Sequence, residues 1–231
     1  MQYDRIMSRL QSLANPEALA GMARFGITPR GAYGVAVPEL RKIAGETGVS
    51  HPLAIRLWES GIHEARILAS MIDSPAEVTS AQMEKWAREF DSWDICDQCC
   101  SNLFDKTRFA YRKAAEWGQR EEEFVKRAGF VLMAALAVHD KRTRDDEFVR
   151  FLGMIEARAT DDRNFVKKAI NWALRQIGKR NPRLNQEAVA AAKRIQQMPS
   201  PAAKWIASDA LRELTSEAVR RRLQVRKRPP P

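Results

Sequence analysis

The sequence predicts an all-α protein built as a solenoid of stacked helix pairs, and three observations carry that expectation. Apolar residues recur at steps of three and four through segment after segment. Proline and glycine fall at spaced marks along the chain. No stretch shows the sustained apolar–polar alternation and β-branched enrichment of a strand.

The elements follow in order. Residues 1–14 are amphipathic and carry Asp4, Arg5 and Arg9. The marks come at Asn15-Pro16, Thr28-Pro29-Arg30-Gly31, Val37-Pro38, His51-Pro52, Ser74-Pro75, Asn181-Pro182, Pro199 and Pro201. Pro38, Pro52 and Pro201 read as first-turn prolines, where a missing N–H costs a helix nothing. Between Glu121 and His139 the set Phe124, Ala128, Val131, Leu132, Ala135 and Leu136 steps along one helical face. Between Arg163 and Lys179, the set Phe165, Ala169, Trp172, Ala173, Gln176 and Ile177 does nearly the same. About a dozen helices in pairs of roughly 35–45 residues fall in the HEAT and armadillo range. Such a stack leaves a concave face, here expected to be a basic groove. The expected organisation is one domain over 1–224 and a disordered, basic, proline-rich tail over 225–231. Most of the tryptophans, at 58, 86, 93, 117, 172 and 205, read as core.

Composition narrows the partners. With 231 residues, 45% of them hydrophobic, the chain can bury a sizeable core. Lys and Arg number 39 against 29 for Asp and Glu, a net charge of +10, which points to a polyanion. No run of 18 apolar residues exists for a membrane span, and the N-terminus lacks a signal peptide's apolar centre. The three cysteines crowd at 96, 99 and 100, which is no disulfide framework; they read as small core residues of a reduced, cytoplasmic protein. No G-x-x-x-x-G-K, H-E-x-x-H or G-x-G-x-x-G occurs, so neither a metal nor another cofactor is expected.

Three clusters can carry chemistry. In Ser92-Trp93-Asp94-x-x-Asp97, Trp93 and Asp97 are four apart and share a helix face, with Ser92 or Asp91 available as the cap. An indole and a carboxylate side by side suit a cationic intermediate; equally, acidic residues favour a first helical turn and a tryptophan there is often core. Lys126-Arg127 can hold a phosphate or simply form a solvated face. In the third cluster Arg163, Phe165, Lys168, Trp172, Arg175, Lys179, Arg180 and Arg183 interleave cations with aromatics, a mix suited to a DNA backbone. The spacing of 93, 127 and 172 lets stacked repeats set these clusters side by side.

These motifs, with Met22-Ala23-Arg24-Phe25, Val37-Pro38-Glu39-Leu40-Arg41, Leu57-Trp58-Glu59, His63-Glu64-Ala65-Arg66 and Lys168-Ala169-Ile170-x-Trp172-x-Leu174-Arg175 ahead of Asn181-Pro182, resemble the AlkD-like DNA alkylation repair family of HEAT-repeat DNA glycosylases. The resemblance spans nearly the whole chain. It implies that Asp97 is the catalytic aspartate, that Trp93 and Trp172 flank the deoxyribose of the damaged nucleotide, and that Arg127 contacts DNA near the lesion. Phe25 stands where family members can carry a tyrosine, so this chain lacks that hydroxyl. The activity implied is removal of cationic N3- or N7-alkylated purines from double-stranded DNA without base flipping, by a monomer associated with the nucleoid through its DNA. A non-catalytic HEAT module for damaged DNA and a protein-binding solenoid are the alternatives; the basic surplus speaks against the second.

Overall fold

The computed structural model describes residues 3–28 and 30–225, the last by its backbone alone. The basic tail expected over 225–231 lies, from 226 on, outside the described residues, as does Pro29 of the second mark. Among the described residues there are helices and turns and no strand. The chain forms two compact units, residues 1–109 and 110–231.

The first unit holds α1 (Tyr3–Ser12), α2 (Pro16–Arg24), α3 (Val37–Thr47), α4 (His51–Glu59), α5 (His63–Ile72), α6 (Ser80–Arg88) and α7 (Trp93–Asn102), closed by a short 3-10 turn at Phe104–Lys106. The second holds α8 (Ala110–Trp117), α9 (Glu123–His139), α10 (Asp145–Arg158), α11 (Asn164–Gly178), α12 (Pro182–Gln196), α13 (Pro201–Leu214) and α14 (Glu217–Val225). The punctuation works as expected: α2, α3, α4, α12 and α13 each carry proline in the first turn. Asn15, Thr79, Asn181 and Ser200 accept an amide hydrogen bond at the starts of α2, α6, α12 and α13.

A repeat that is faint in the letters is plain in the hydrogen bonds. In the first unit α5 and α7 lie parallel with a register of 31 to 32 residues, shown by His63–Asp94 and Asn102–Ser70. In the second, α9, α11 and α13 form one parallel file. Arg127 reaches Phe165, 38 residues on; Asn171 reaches Ile206, 35 on; and Lys179 reaches Glu213, 34 on. A second file, α10 and α12, repeats the register at 36 to 38 through Asn181–Asp145, Arg183–Asp146 and Arg194–Glu156.

The core departs from the sequence expectation in two ways. Helix α9 is buried all round from Val125 to Ala137, not along one face, because it packs against both α8 and α11. The tryptophans divide. Trp58, Trp86 and Trp117 are fully buried, and the first two stack with centroids 4.0 Å apart. Trp93 and Trp172 are only part-buried, and Trp205 is 42% exposed. The cysteines are free thiols in the core, as expected.

Candidate functional site

Helix α7 begins at Trp93, and Asp97 follows one turn later. Both are part-exposed, whereas Ile95, Cys96, Cys99 and Cys100 on the remaining faces are buried. The apolar residues thus seat the helix and leave the indole and the carboxylate on its open side. The Trp93 indole N–H donates to the Phe25 carbonyl at 3.0 Å, which fixes the ring. Phe25 itself is 71% exposed at the turn that ends α2.

The loop beyond that turn is held from α5. The Glu64 carboxylate, 1% exposed, accepts the backbone N–H groups of Tyr33, Gly34 and Val35 at 2.6 to 3.2 Å, and the His63 amide donates to Gly31. Gly34 has φ +77°, and a Cβ there would fall 2.4 Å from the Asn15 carbonyl oxygen, so no other residue fits.

The α7 start is not capped as the sequence suggests. Ser92 occupies the cap position without a side-chain cap bond; its hydroxyl donates instead to Asp94 at 2.6 Å. The other Asp94 oxygen lies 2.8 Å from His63 Nε2. Burial alone pushes the His63 pKa down, but the hydrogen bond and charge of Asp94 outweigh it and hold the imidazole above its ordinary value. Burial likewise pushes the Asp94 carboxyl up, and His63 and Ser92 bring it below the usual range. Burial raises the Cys99 and Cys100 thiols well above theirs, so neither offers a thiolate nucleophile. Among the described residues no three His, Cys, Asp or Glu side chains gather as a metal-binding group.

In the second unit Arg127 is nearly buried, and its guanidinium donates to the Phe165 carbonyl at 2.6 Å, tying α9 to the start of α11. Phe165 packs on Phe124 with centroids 5.7 Å apart. On α11, Lys168, Trp172, Arg175 and Lys179 step by four, three and four and form one stripe. Lys168 is exposed and Trp172 part-exposed. Arg175 and Lys179 pair with Glu213 of α13 at 2.8 and 2.6 Å.

Three expected DNA-facing cations sit differently. Lys126 is 3% exposed, its ammonium 3.3 Å from both Glu121 and Asp161. Arg163 pairs with Asp161 and donates to the Glu121 carbonyl. Burial raises the Asp161 carboxyl, but Arg163 and Lys126 hold it below the usual range. Arg180 donates to the carbonyls of Ala137, Asp140 and Thr143 and lies over the Phe148 ring at 4.4 Å, bracketing the end of α9. Lys126 and Arg163 are thus matched by Asp161 inside the unit, where an unpaired ion would be costly, and Arg180 is held by carbonyl oxygens and an aromatic face. The sequence reading assigned no role to His63 or Glu64; the available signal was a histidine one repeat ahead of Asp94.

Comparison with known proteins accords with this architecture. The chain is 23% identical over 197 residues to Lin0241 of Listeria innocua, an uncharacterized protein, covering 84% of this chain and 86% of that one. It is 25% identical over 132 residues to the uncharacterized Lmo0209 of Listeria monocytogenes, covering 55% and 59%. A solved structure matches with TM-score 0.78 and 19% identity over 96% of both chains. That protein is described as one of a new family related to the HEAT-like repeat DNA glycosylases with affinity for branched DNA structures. The fold is thus the HEAT-like repeat fold. Residues 6–214 match the family described as DNA alkylation repair enzyme, and a match over so much of its length makes this chain a member of that family.

Proposed function

We propose that this protein is a monofunctional DNA glycosylase that hydrolyses the N-glycosidic bond of cationic N3- or N7-alkylated purines in double-stranded DNA and leaves an abasic site. The observation that carries the reading is the open side of α7, where Trp93 and Asp97 stand one turn apart, away from the buried Ile95, Cys96, Cys99 and Cys100 that seat the helix. An alkylated purine already bears positive charge. When its bond to C1′ breaks, the electron pair leaves with the base, which becomes neutral, and the sugar becomes oxocarbenium-like. Asp97 stabilises that cation and takes the proton of the water that attacks C1′. Trp93 offers an indole face to the same charge, worth about 0.5–2 kcal/mol. Arg127 and Lys168 hold backbone phosphates. The lesion supplies its own leaving-group activation, so this chemistry asks for no cofactor and no extrusion of the base.

A second reading, a non-catalytic module that binds DNA of unusual structure, draws support from the branched-DNA affinity stated for the structural neighbour. One experiment separates the two. Release of N7-methylguanine from a duplex is followed in single turnover with wild type and Asp97→Asn at saturating protein. Wild type should release the base, and the variant should bind DNA but be slower by about 10²–10⁴-fold. Wild type that binds DNA without releasing base refutes the glycosylase and leaves the binding module. Equal rates for two folded proteins remove Asp97 from the mechanism.

A further inference from the structure

Trp205 is a large aromatic side chain that the function above leaves without a role. It lies on the exposed stripe of α13, with Pro201, Lys204, Ser208 and Arg212, opposite a buried face of Ala202, Ala203, Ile206, Ala207 and Ala210. The seam with α11 fixes where that stripe points. Lys167 Nζ sits 5.3 Å from the Trp205 ring centroid, Asn171 donates to the Ile206 carbonyl, and Arg175 pairs with Asp209 and Glu213. These contacts lie along one flank of α11, next to the stripe of Lys168, Trp172, Arg175 and Lys179. The exposed faces of α11 and α13 therefore adjoin, and Trp205 shares a surface of the second unit with Trp172.

The charge of that surface selects the ligand. Lys167 lies over the indole, the exposed Lys204 precedes it in the chain, and the exposed Lys168 lies on the adjoining stripe of α11, while Asp209 and Glu213 along the seam already face Arg175 and Lys179. A cation would meet lysines. A lipid surface would need a broad apolar face, and this one has a single large apolar residue. A polyanion with planar rings meets both the ammonium groups and the indole. We infer that Trp205 is a stacking platform for an unpaired nucleobase, with the lysines on the flanking phosphates, a contact that rests on the DNA-binding reading above and extends it. By the 34 to 35 residue register the platform lies one helix over from Trp172 and about two residues back along the axis. At 1.5 Å per residue and a helix spacing of 8–10 Å this is about 9–10 Å, or roughly three stacked nucleotides.

The test is fluorescence anisotropy with two undamaged DNAs of one sequence, one fully paired and one with a central single-stranded gap of about three nucleotides. Trp205→Ala should bind the gapped DNA about tenfold more weakly than wild type and the paired DNA within about twofold, while Trp205→Phe keeps most of the preference. Circular dichroism confirms that each variant is helical. If wild type binds neither DNA, the functional reading itself has failed. If wild type binds and Trp205→Ala loses equally on both DNAs or on neither, the platform is refuted and the functional reading stands. Sedimentation showing a dimer that Trp205→Ala dissociates would also overturn it, assigning the face to a second copy of the chain.

Discussion

Gly129 offers a sharp test of how α9 is seated, and Arg127 lies two residues before it on that helix. A Cβ built on Gly129 would fall 2.3 Å from the Gly118 nitrogen, 2.7 Å from its Cα and 2.8 Å from the Trp117 carbonyl carbon. All three are backbone atoms, so no rotamer change relieves the clash. Ordinary contact would require α8 to withdraw by about an ångström from a core packed to crystal-like density. Overpacking of this kind costs about 3 kcal/mol at the upper end of its usual range, and Ala recovers about 1 kcal/mol of helix propensity over Gly. Gly129→Ala should therefore lose about 2 kcal/mol, or about 4–8 °C in the thermal midpoint for a chain of this size. Gly153 on α10 is the internal control, with nothing within 4 Å of a Cβ built there. Gly153→Ala should gain up to about 1 kcal/mol and about 2–4 °C. Calorimetric scans of the three proteins decide it. If Gly129→Ala melts at or above wild type, or if both variants shift alike, the helices do not approach at Gly118 and Gly129 and the account of α9 is wrong.

Two more predictions concern the first unit. Glu64→Gln replaces a carboxylate that serves three amides with a group whose NH₂ end repels them; it should cost about 1–3 kcal/mol, with faster hydrogen exchange at Tyr33, Gly34 and Val35, and unchanged exchange there would mean that Glu64 does not hold the loop. The His63–Asp94 pair should give the unit a pH window. His63 has a raised pKa, sustained by Asp94, Glu64 and Asp91 against burial, so its stabilisation is complete below the ordinary imidazole value and is lost as pH rises through the raised one; Asp94, with its lowered pKa, contributes above the ordinary carboxylate value and loses its share as pH falls through the lowered one. Unfolding midpoints from about pH 5 to about pH 9 should therefore decline above neutrality in wild type and decline less in His63→Gln; parallel curves would remove the pair from the stability of the unit.

The fold was legible because its signals are local. A first-turn proline such as Pro52 or Pro201 needs no tertiary information to mark a helix, and the four-residue step from Trp93 to Asp97 already sets both on one face. What was not legible depends on partners a repeat away. The Glu64 carboxylate is defined by amides about 30 residues earlier, and Lys126 looks solvated beside Glu121, Glu122 and Glu123 until Asp161 arrives from the next repeat. Helix α9 misled in another way: a helix buried all round carries no polar face, so its periodicity names one apolar stripe where the structure uses the whole surface.

The tryptophans show how the site could have been read more closely from the letters. Trp58, Trp86 and Trp117, the fully buried ones, fall on α4, α6 and α8. Trp93, Trp172 and Trp205, the ones that reach solvent, fall on α7, α11 and α13. The division follows from how a stack of pairs is built. In the second unit every second helix belongs to the same file, so Trp172 of α11 and Trp205 of α13 lie on neighbouring helices of one file. Arg127 and Lys168 fall on that file of α9, α11 and α13. Composition says only that a tryptophan prefers the interior; the exposed stripe of α13 says that Trp205 does not occupy it. Trp205 thus belongs with Trp172 on one file of the second unit, which is the physical reason to look for a ligand at its ring rather than for a missing piece of core.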